Sequence, residues 1–260
     1  MRKVRTACSI MLLMLIISIC FASRGDINMD LRLASPGFSY PFGCDSFGRS
    51  LLSRTSYGFL VSLSIGMLSS ALSIAISLLI AFVLIKAERL RIILFAVLDS
   101  IKAVPSIVLA LFLASISGPG IINVIAVLVI SFTPSVSRTF YSLMDDAYRK
   151  PFVEAAYSEG SGEARILISH ILPHIAYYIR EEGVSLMLSS MLIESSLSFI
   201  GAGVELSTPS LGLILQEARP YMLTYPHMAI FPSLVLILLT LSLLLLSRGL
   251  AELDPASHRA

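Results

Sequence analysis

Two ionisable side chains of opposite charge lie inside one long apolar run of the sequence. Asp99 and Lys102 are three residues apart, so in a helix they share a face and could form an ion pair. Ionisable residues within apolar spans are costly and usually face the interior of a bundle or a water-filled cavity. Asp99 and Lys102 are therefore candidates to line a solute pathway. The alternative is a pair near the aqueous interface that reaches towards water.

A third ionisable residue, Glu194, lies in a later apolar run and is followed by small hydroxyl side chains. Glu194, Ser195 and Ser198 are candidates for the same pathway, because a carboxyl group deep in a span needs polar surroundings. The alternative is a hydrogen bond from Ser195, Ser196 or Ser198 to the Glu194 carboxyl group, which would satisfy it without any solute.

The chain as a whole is much more apolar than a soluble domain. Of its 260 residues, 56% are hydrophobic and 14% are charged, with a mean hydropathy of +0.86. Soluble domains carry about 25% charged residues, so a bilayer is the natural environment of this chain. A formal net charge of +2 gives no reason to expect nucleic acid as a partner. The cysteines Cys8, Cys20 and Cys44 form no CxxC motif or cysteine–histidine cluster, so no metal site is expected.

Six apolar runs predict six transmembrane helices, each span needing about 20 residues. The first run is short and could instead be a signal peptide; the layout of the family named below favours an uncleaved helix. Two segments rich in Pro, Gly and Ser are predicted as loops, 24–57 and 204–227, the first with a short surface helix opening near residues 46–58. The six runs cover residues 7–22, 59–85, 92–116, 121–144, 175–203 and 228–247.

The distribution of Lys and Arg predicts the orientation of the spans. Basic residues accumulate in cytoplasmic loops, and most of those in this chain lie on one side if the N-terminus is cytoplasmic. Six spans then return the C-terminus to the same side. The sequence therefore predicts an N-in/C-in topology in which residues 151–175 are cytoplasmic.

Residues 151–175, which we call the polar island, are the least hydrophobic long stretch between the runs. Pro151 suits the first turn of a helix, and the helix dipole favours Glu154 near that end. Gly160 and Gly162 are expected to end the helix and turn the chain. A second short helix follows, and Pro173 is expected to stop it before the fifth span. An ordinary interfacial helix is the alternative to a docking element.

The island contains EAAYSEG and, nine residues later, HILP, and it resembles the EAA loop of ABC importer permeases. The resemblance implies that the island sits in a groove of an ATPase subunit and transmits its motion. Two small alanines would allow close approach, and a proline would stiffen the junction to the fifth span. The residues implied in ATPase coupling are Glu154, Ala155, Ala156, Gly160, Leu172 and Pro173.

Three further stretches resemble the dipeptide, oligopeptide and nickel permeases, and the C-subunit type in particular. They are PFGCDSFGRSLLSRTSYGFLVSLSIG, ESSLSFIGAGVELSTPSLGLIL and RGLAELDP. Tyr40, Cys44 and Ser50 depart from the pattern, which usually has His, Thr and Asp at these positions.

This resemblance implies an all-α integral membrane protein with the type I ABC importer permease fold. The expected divisions are an N-terminal helix and extracytoplasmic segment (1–57), a permease domain (58–248) with a coupling loop at about 145–174, and a cytoplasmic tail (249–260). The chain contains no GxxxxGK[ST] phosphate loop, so it is expected to be non-catalytic.

The resemblance also implies the partners. They are a second homologous permease, two ATPase subunits that use ATP and Mg, an extracytoplasmic solute-binding protein and membrane lipid, with no cofactor on this chain. The expected place is the inner membrane, crossed several times, and the expected cargo is di- or oligopeptides, with nickel or another small solute as the alternative. A self-contained secondary transporter is a remote alternative, since that class usually has more spans and internal repeats.

Overall fold

The computed structural model describes residues 2–23 and 25–252, with only the backbone described for residues 2 and 88–90. The predicted tail 249–260 lies outside the described residues from position 253 on. Two short 3₁₀ turns accompany the helices, at Met29–Leu31 and Arg219–Tyr221. The helices are α1 (Arg2–Phe21), α2 (Leu51–Lys86), α3 (Glu88–Lys102), α4 (Ser106–Ser117), α5 (Ile121–Tyr148), α6 (Pro151–Ser158), α7 (Glu163–Ile200), α8 (Leu211–Ala218) and α9 (His227–Ala251).

Five helices in the described part of the chain are long and apolar enough to cross a membrane, namely α1, α2, α5, α7 and α9. Helices α3 and α4 are long and apolar enough only as a pair, which covers the predicted third run, 92–116. They meet at 88° across a break of three residues, 103–105. The described helices therefore give five spans, or six if this bent pair is one span.

Pro105 explains this break. Proline restricts the residue before it to extended conformations and has no N–H to donate, so a helix usually ends just before it. Here α3 ends at Lys102, and Pro105 occupies the position that caps the start of α4, with φ −53° and ψ 131°.

Contacts between helix ends place both ends of the described chain at one face of the molecule. Lys3 at the start of α1 forms an ion pair with Glu252 just after α9. The Tyr177 hydroxyl, early in α7, donates to the Leu250 carbonyl at 2.6 Å. This face also contains the polar island, and by the distribution of basic residues it is the cytoplasmic face.

The outer segments are more ordered than the predicted loops. The helix expected near residues 46–58 is not a separate surface helix, because α2 begins at Leu51 and runs without a break to Lys86. It therefore crosses the predicted division at residues 57 and 58, and the domain limits stay a prediction. The segment 204–227, predicted as a loop, contains helix α8.

The centre of the bundle is α2 packed between α5 and α7, and small residues on α2 allow this. A Cβ added at Gly66 would lie 2.6 Å from the Met191 Cγ of α7, so only glycine permits this approach. Four serines on α2 are also completely buried: Ser62, Ser69, Ser73 and Ser77.

Candidate coupling, pathway and outer sites

The first helix of the polar island, α6, presents one face to the core and another to solvent. Val153 and Ala156, three residues apart, are 1% and 3% exposed and pack in the main hydrophobic core. Glu154 and Ala155 are exposed. Neighbouring helical residues point about 100° apart, so the two adjacent alanines lie on different sides of α6. Ala155 is on the outer surface, whereas Ala156 packs in the core, so close approach by a partner would be to Ala155.

Gly160 ends α6 in a left-handed conformation, with φ +80°. The Ser161 N–H bonds to the Ala156 carbonyl, and the Gly160 N–H to the Tyr157 carbonyl, which is the Schellman pattern of a helix C-terminus. The predicted helix end at Gly160 is confirmed. Gly162, by contrast, has φ −74° and starts α7, so the expectation that it helps to end α6 is wrong.

Helix α7 continues through Pro173, so the prediction that this proline stops the helix is wrong. A π turn at Leu167–Ile171 precedes it, and the Leu172 N–H bonds to the Leu167 carbonyl, five residues back. The wider turn accommodates the proline ring and its missing N–H, and the helix continues past it. Ile166 and Ile171 are completely buried, and Leu172 packs against the same core.

A polar chain of contacts ties the island to the end of α2. Lys86 forms an ion pair with Glu163, whose other oxygen accepts a 2.9 Å hydrogen bond from the Tyr157 hydroxyl. Partial burial, followed by this hydrogen bond, raises the pKa of Tyr157 above its ordinary value, so the hydroxyl stays a donor. The two helices of the island, α6 and the start of α7, are thereby connected to each other and to α2.

Asp99 does not pair with Lys102, which corrects the expected ion pair. Its carboxylate binds Arg138 of α5, and the Arg138 guanidinium also lies 4.8 Å from the centre of the Phe95 ring. Both charged side chains are nearly half exposed, at 48% and 47%. Arg138 could not be recognised as this partner from the sequence, because Arg138 lies 39 residues from Asp99 and shares no local pattern with it.

Glu194 is completely buried and accepts hydrogen bonds from nearby hydroxyl groups. Ser62 of α2 donates to its Oε2 at 2.9 Å, Ser198 to its Oε1 at 2.8 Å, and Ser195 to Oε2 at 3.4 Å. This is the hydrogen-bonded alternative of the sequence analysis, with Ser62 as an additional partner. A pathway role for Glu194, Ser195 and Ser198 stays a prediction.

A buried ion network on the outer side was missed from the sequence; we call it the outer ion network (Asp45, Arg49, Arg54 and Glu217). The Arg54 guanidinium is 1% exposed and donates to Asp45 at 2.6 Å and to Glu217 of α8 at 2.5 Å. Arg49 donates to Asp45 at 2.7 Å. The spacing of Asp45, Arg49 and Arg54 was visible in the sequence, but Glu217 lies 163 residues away.

Cys44 lies next to this network and is completely buried. Burial, and then the neighbouring charge of Asp45, raise the pKa of its thiol, so it stays protonated and unreactive. Cys8 and Cys20 are exposed on α1. No group of three or more possible metal ligands occurs among the residues that the structure describes.

Comparison with known proteins identifies the family. Residues 73–253 match the profile of the binding-protein-dependent transport system inner membrane component. The chain belongs to this family. It is 33% identical over 229 residues to a probable peptide ABC transporter permease of Sinorhizobium fredii. The alignment covers 88% of this chain and 79% of that protein. It is also 33% identical over 225 residues to a glutathione transport system permease of Escherichia coli, covering 85% of this chain and 73% of that protein.

The fold has a counterpart among solved structures. An inward-facing structure of the MetNI methionine ABC transporter aligns with a TM-score of 0.60 at 18% identity, over 78% of this chain and 96% of that chain. The protein therefore has the type I importer permease fold. It is a non-catalytic, multi-pass subunit of the inner membrane, and separate ATPase subunits hydrolyse ATP. Permeases of this family work with ATPase and binding-protein partners.

The outer ion network yields a stability prediction. Arg54→Ala leaves two buried or part-buried carboxylates without their shared cation. Breaking a buried ion pair costs about 3–5 kcal/mol, and since Arg49 still reaches Asp45 we expect a loss of about 2–3 kcal/mol in the free energy of unfolding. Denaturant titration in detergent measures it. Arg149→Ala is the control, because Arg149 pairs with Asp145 on the exposed surface and should cost less than about 1 kcal/mol. Equal losses for both variants would contradict the network's role.

The two glycines of the island yield a second prediction. Gly160→Ala forces an L residue into the left-handed region and should cost about 1–2 kcal/mol, although the added methyl group has free space. Gly162→Ala also has free space but keeps an ordinary φ, so it should be neutral or slightly stabilising. Hydrogen exchange of the α6 amides measures both. Faster exchange in Gly162→Ala than in Gly160→Ala would show that the α6 end does not depend on its φ.

Proposed function

We propose that this protein is the pore-forming permease subunit of an ATP-driven importer for di- or oligopeptides. It pairs with a second, homologous permease, and two ATPase subunits drive the pair. The peptide cargo is supported by relatives named for peptide and glutathione transport, each at least 30% identical over most of this chain. Nickel or another small solute is the alternative cargo.

The observation that carries the coupling role is the exposed face of α6 on the cytoplasmic side. Glu154 and Ala155 lie on this face, so a carboxylate and a small side chain are both available to a groove on an ATPase subunit. The other face is held in the core by Val153 and Ala156. The Schellman end at Gly160 then returns the chain directly into α7. A push on α6 therefore reaches the bundle through packed side chains.

The half-exposed pair of Asp99 and Arg138 supports a pathway between the two permeases. Charged groups within membrane spans face a partner or a water-filled cavity rather than lipid. In this arrangement the pair and the nearby exposed Lys102 face the second permease and the passage between the subunits. A zwitterionic peptide would then meet charges of both signs along its route.

The solute-binding protein docks on the outer face. Several large apolar side chains are almost fully exposed there, including Phe38, Leu206 and Leu223. On an aqueous surface such residues mark sites of protein interaction. The outer ion network holds the two segments that present them, because Arg54 connects the first outer segment to α8.

Crosslinking from the two adjacent alanines tests the coupling role. In the assembled transporter, Ala155→Cys should form a disulfide or short crosslink with a cysteine in the ATPase groove. Ala156→Cys is the matched control, since it differs by one position but faces the core and should give no such product. The products are identified by mass spectrometry. If Ala155→Cys never captures an ATPase subunit in a complex that transports, the coupling role is wrong.

Reconstitution tests the cargo. Proteoliposomes containing both permeases and the ATPase subunits, supplied with the binding protein, should accumulate labelled di- or oligopeptide only when ATP is present. Accumulation of nickel without peptide would replace the proposed cargo with the alternative. Transport by this chain alone and without ATP would instead support a secondary transporter.

A further inference from the structure

The outer end of α7 contains a carboxyl group that is bonded by hydroxyl groups from two helices. Glu194 accepts from Ser62 of α2 and from Ser198 of α7. Ser195 of α7 donates to the same group at 3.4 Å. All four side chains are completely or almost completely buried.

Two of these hydroxyl groups also accept a backbone N–H, one from the connection between α7 and α8 and one from the start of α8. A hydroxyl has one proton and two lone pairs, so donating the proton to Glu194 leaves the lone pairs for the backbone. The two oxygens of Glu194 orient the two hydroxyls in this way. The pairs are Val204 N–H with Ser198 Oγ at 3.4 Å and Leu211 N–H with Ser62 Oγ at 3.3 Å. Ser210 caps α8 separately, by accepting from the Leu213 N–H at 3.3 Å.

Two glycines let the connection lie directly against the backbone of α7. A Cβ added at Gly212, in the first turn of α8, would lie 2.7 Å from the Ser195 Cα. One added at Gly203 would lie 2.5 Å from the Ser198 Cα. Real Cβ atoms do not approach this closely, so the contact requires glycine. The hydrogen bonds of Glu194 therefore form where the connection between α7 and α8 is packed closely against α7.

We infer that Glu194 is a positioning residue that makes α8 move together with α7 and α2 during transport. It binds no solute in this role; it orients two serine hydroxyls, of which Ser62 holds the start of α8 and Ser198 holds the connection before it. Because α7 runs unbroken from the polar island to Ile200, motion at the island reaches α8 through this contact. The inference rests on the proposed function, and it gives Glu194, Ser62 and Ser198 one joint role.

The test measures whether α8 stays fixed to α7 through the transport cycle. Spin labels are placed at Ile200→Cys, the end of α7, and at Arg219→Cys, directly after α8, with the three native cysteines replaced. Both positions are exposed. The reconstituted transporter is examined without nucleotide and in an ATP-trapped state. The inference predicts one narrow distance distribution that is the same in both states.

Variants of the serines show whether the network is responsible. Ser62→Ala and Ser198→Ala should each broaden the distribution and lower peptide uptake per ATP hydrolysed by about fivefold or more, since each leaves a buried N–H unpaired. Ser196→Ala is the matched control, because its hydroxyl bonds only to the Leu192 carbonyl of its own helix in the described chain. Adding Glu194→Ala to Ser62→Ala should give little more than Glu194→Ala alone, because both remove one network.

Glu194→Gln separates a positioning role from a general loss of stability. Its amide oxygen still accepts from some of the hydroxyls, so it should insert and assemble normally and give an intermediate broadening, with partial coupling. Distributions and uptake in Ser62→Ala and Ser198→Ala that match those of Ser196→Ala would overturn the inference. So would a wild-type distance that shifts between the two nucleotide states. ATP-driven peptide uptake by the labelled parent transporter tests the proposed function independently of these distances.

Discussion

One unbroken helix, α7, is the constraint on which the arrangement depends. Its 38 residues, from Glu163 to Ile200, make it about 57 Å long, roughly twice the thickness of the hydrocarbon core. It therefore belongs both to the cytoplasmic island and to the outer face. Helical hydrogen bonding continues through the π turn before Pro173. A break there would separate the island from the rest of the bundle, and one helix could not then serve both the coupling loop and the outer face.

The two ends of α8 are held by different interactions, hydrogen bonds at its start and ion pairs at its last turn, and both are formed within this chain. Its start is held by Glu194 and serine hydroxyls, and its last turn by Glu217 in the outer ion network. Arg54, on the first turns of α2, belongs to the second attachment, as Ser62 on the same helix belongs to the first. The outer part of α2 thus contacts both the start and the last turn of α8. The cytoplasmic end of α2 reaches the island through Lys86. The outer and cytoplasmic surfaces are connected through α2 as well as α7.

Features that depend on local sequence were predictable. The six apolar runs, the exposed α6 and its end at Gly160 follow from hydropathy, helix-end preferences and backbone geometry over a few residues. The EAA pattern also placed the island correctly between the fourth and fifth spans. Local rules were a poor guide at prolines, however: Pro105 divides the third apolar run into two helices, whereas Pro173 does not end its helix. Whether a proline breaks a helix depends on the turns and packing around it.

Features that depend on distant residues were not predictable from one sequence. Asp99 was expected to use the nearest cation, Lys102, but packing brings Arg138 of α5 to it. The partnership of Arg54 with Glu217 and of Ser62 with Glu194 likewise spans more than 130 residues. Which of Ala155 and Ala156 is exposed likewise depends on how α6 packs against the core. In each case the residue type was noticeable, but its partner was set by tertiary packing.

The continuity of α7 can be measured directly. Spin labels at Ala164→Cys and Ile200→Cys lie about 54 Å apart along a straight helix, at 1.5 Å per residue. Both positions are exposed. In the reconstituted transporter, the account predicts one narrow distance that does not change between the nucleotide-free and ATP-trapped states. A second, shorter distance, or a shift of several ångströms on trapping, would show that the helix bends at Pro173 and would contradict the account.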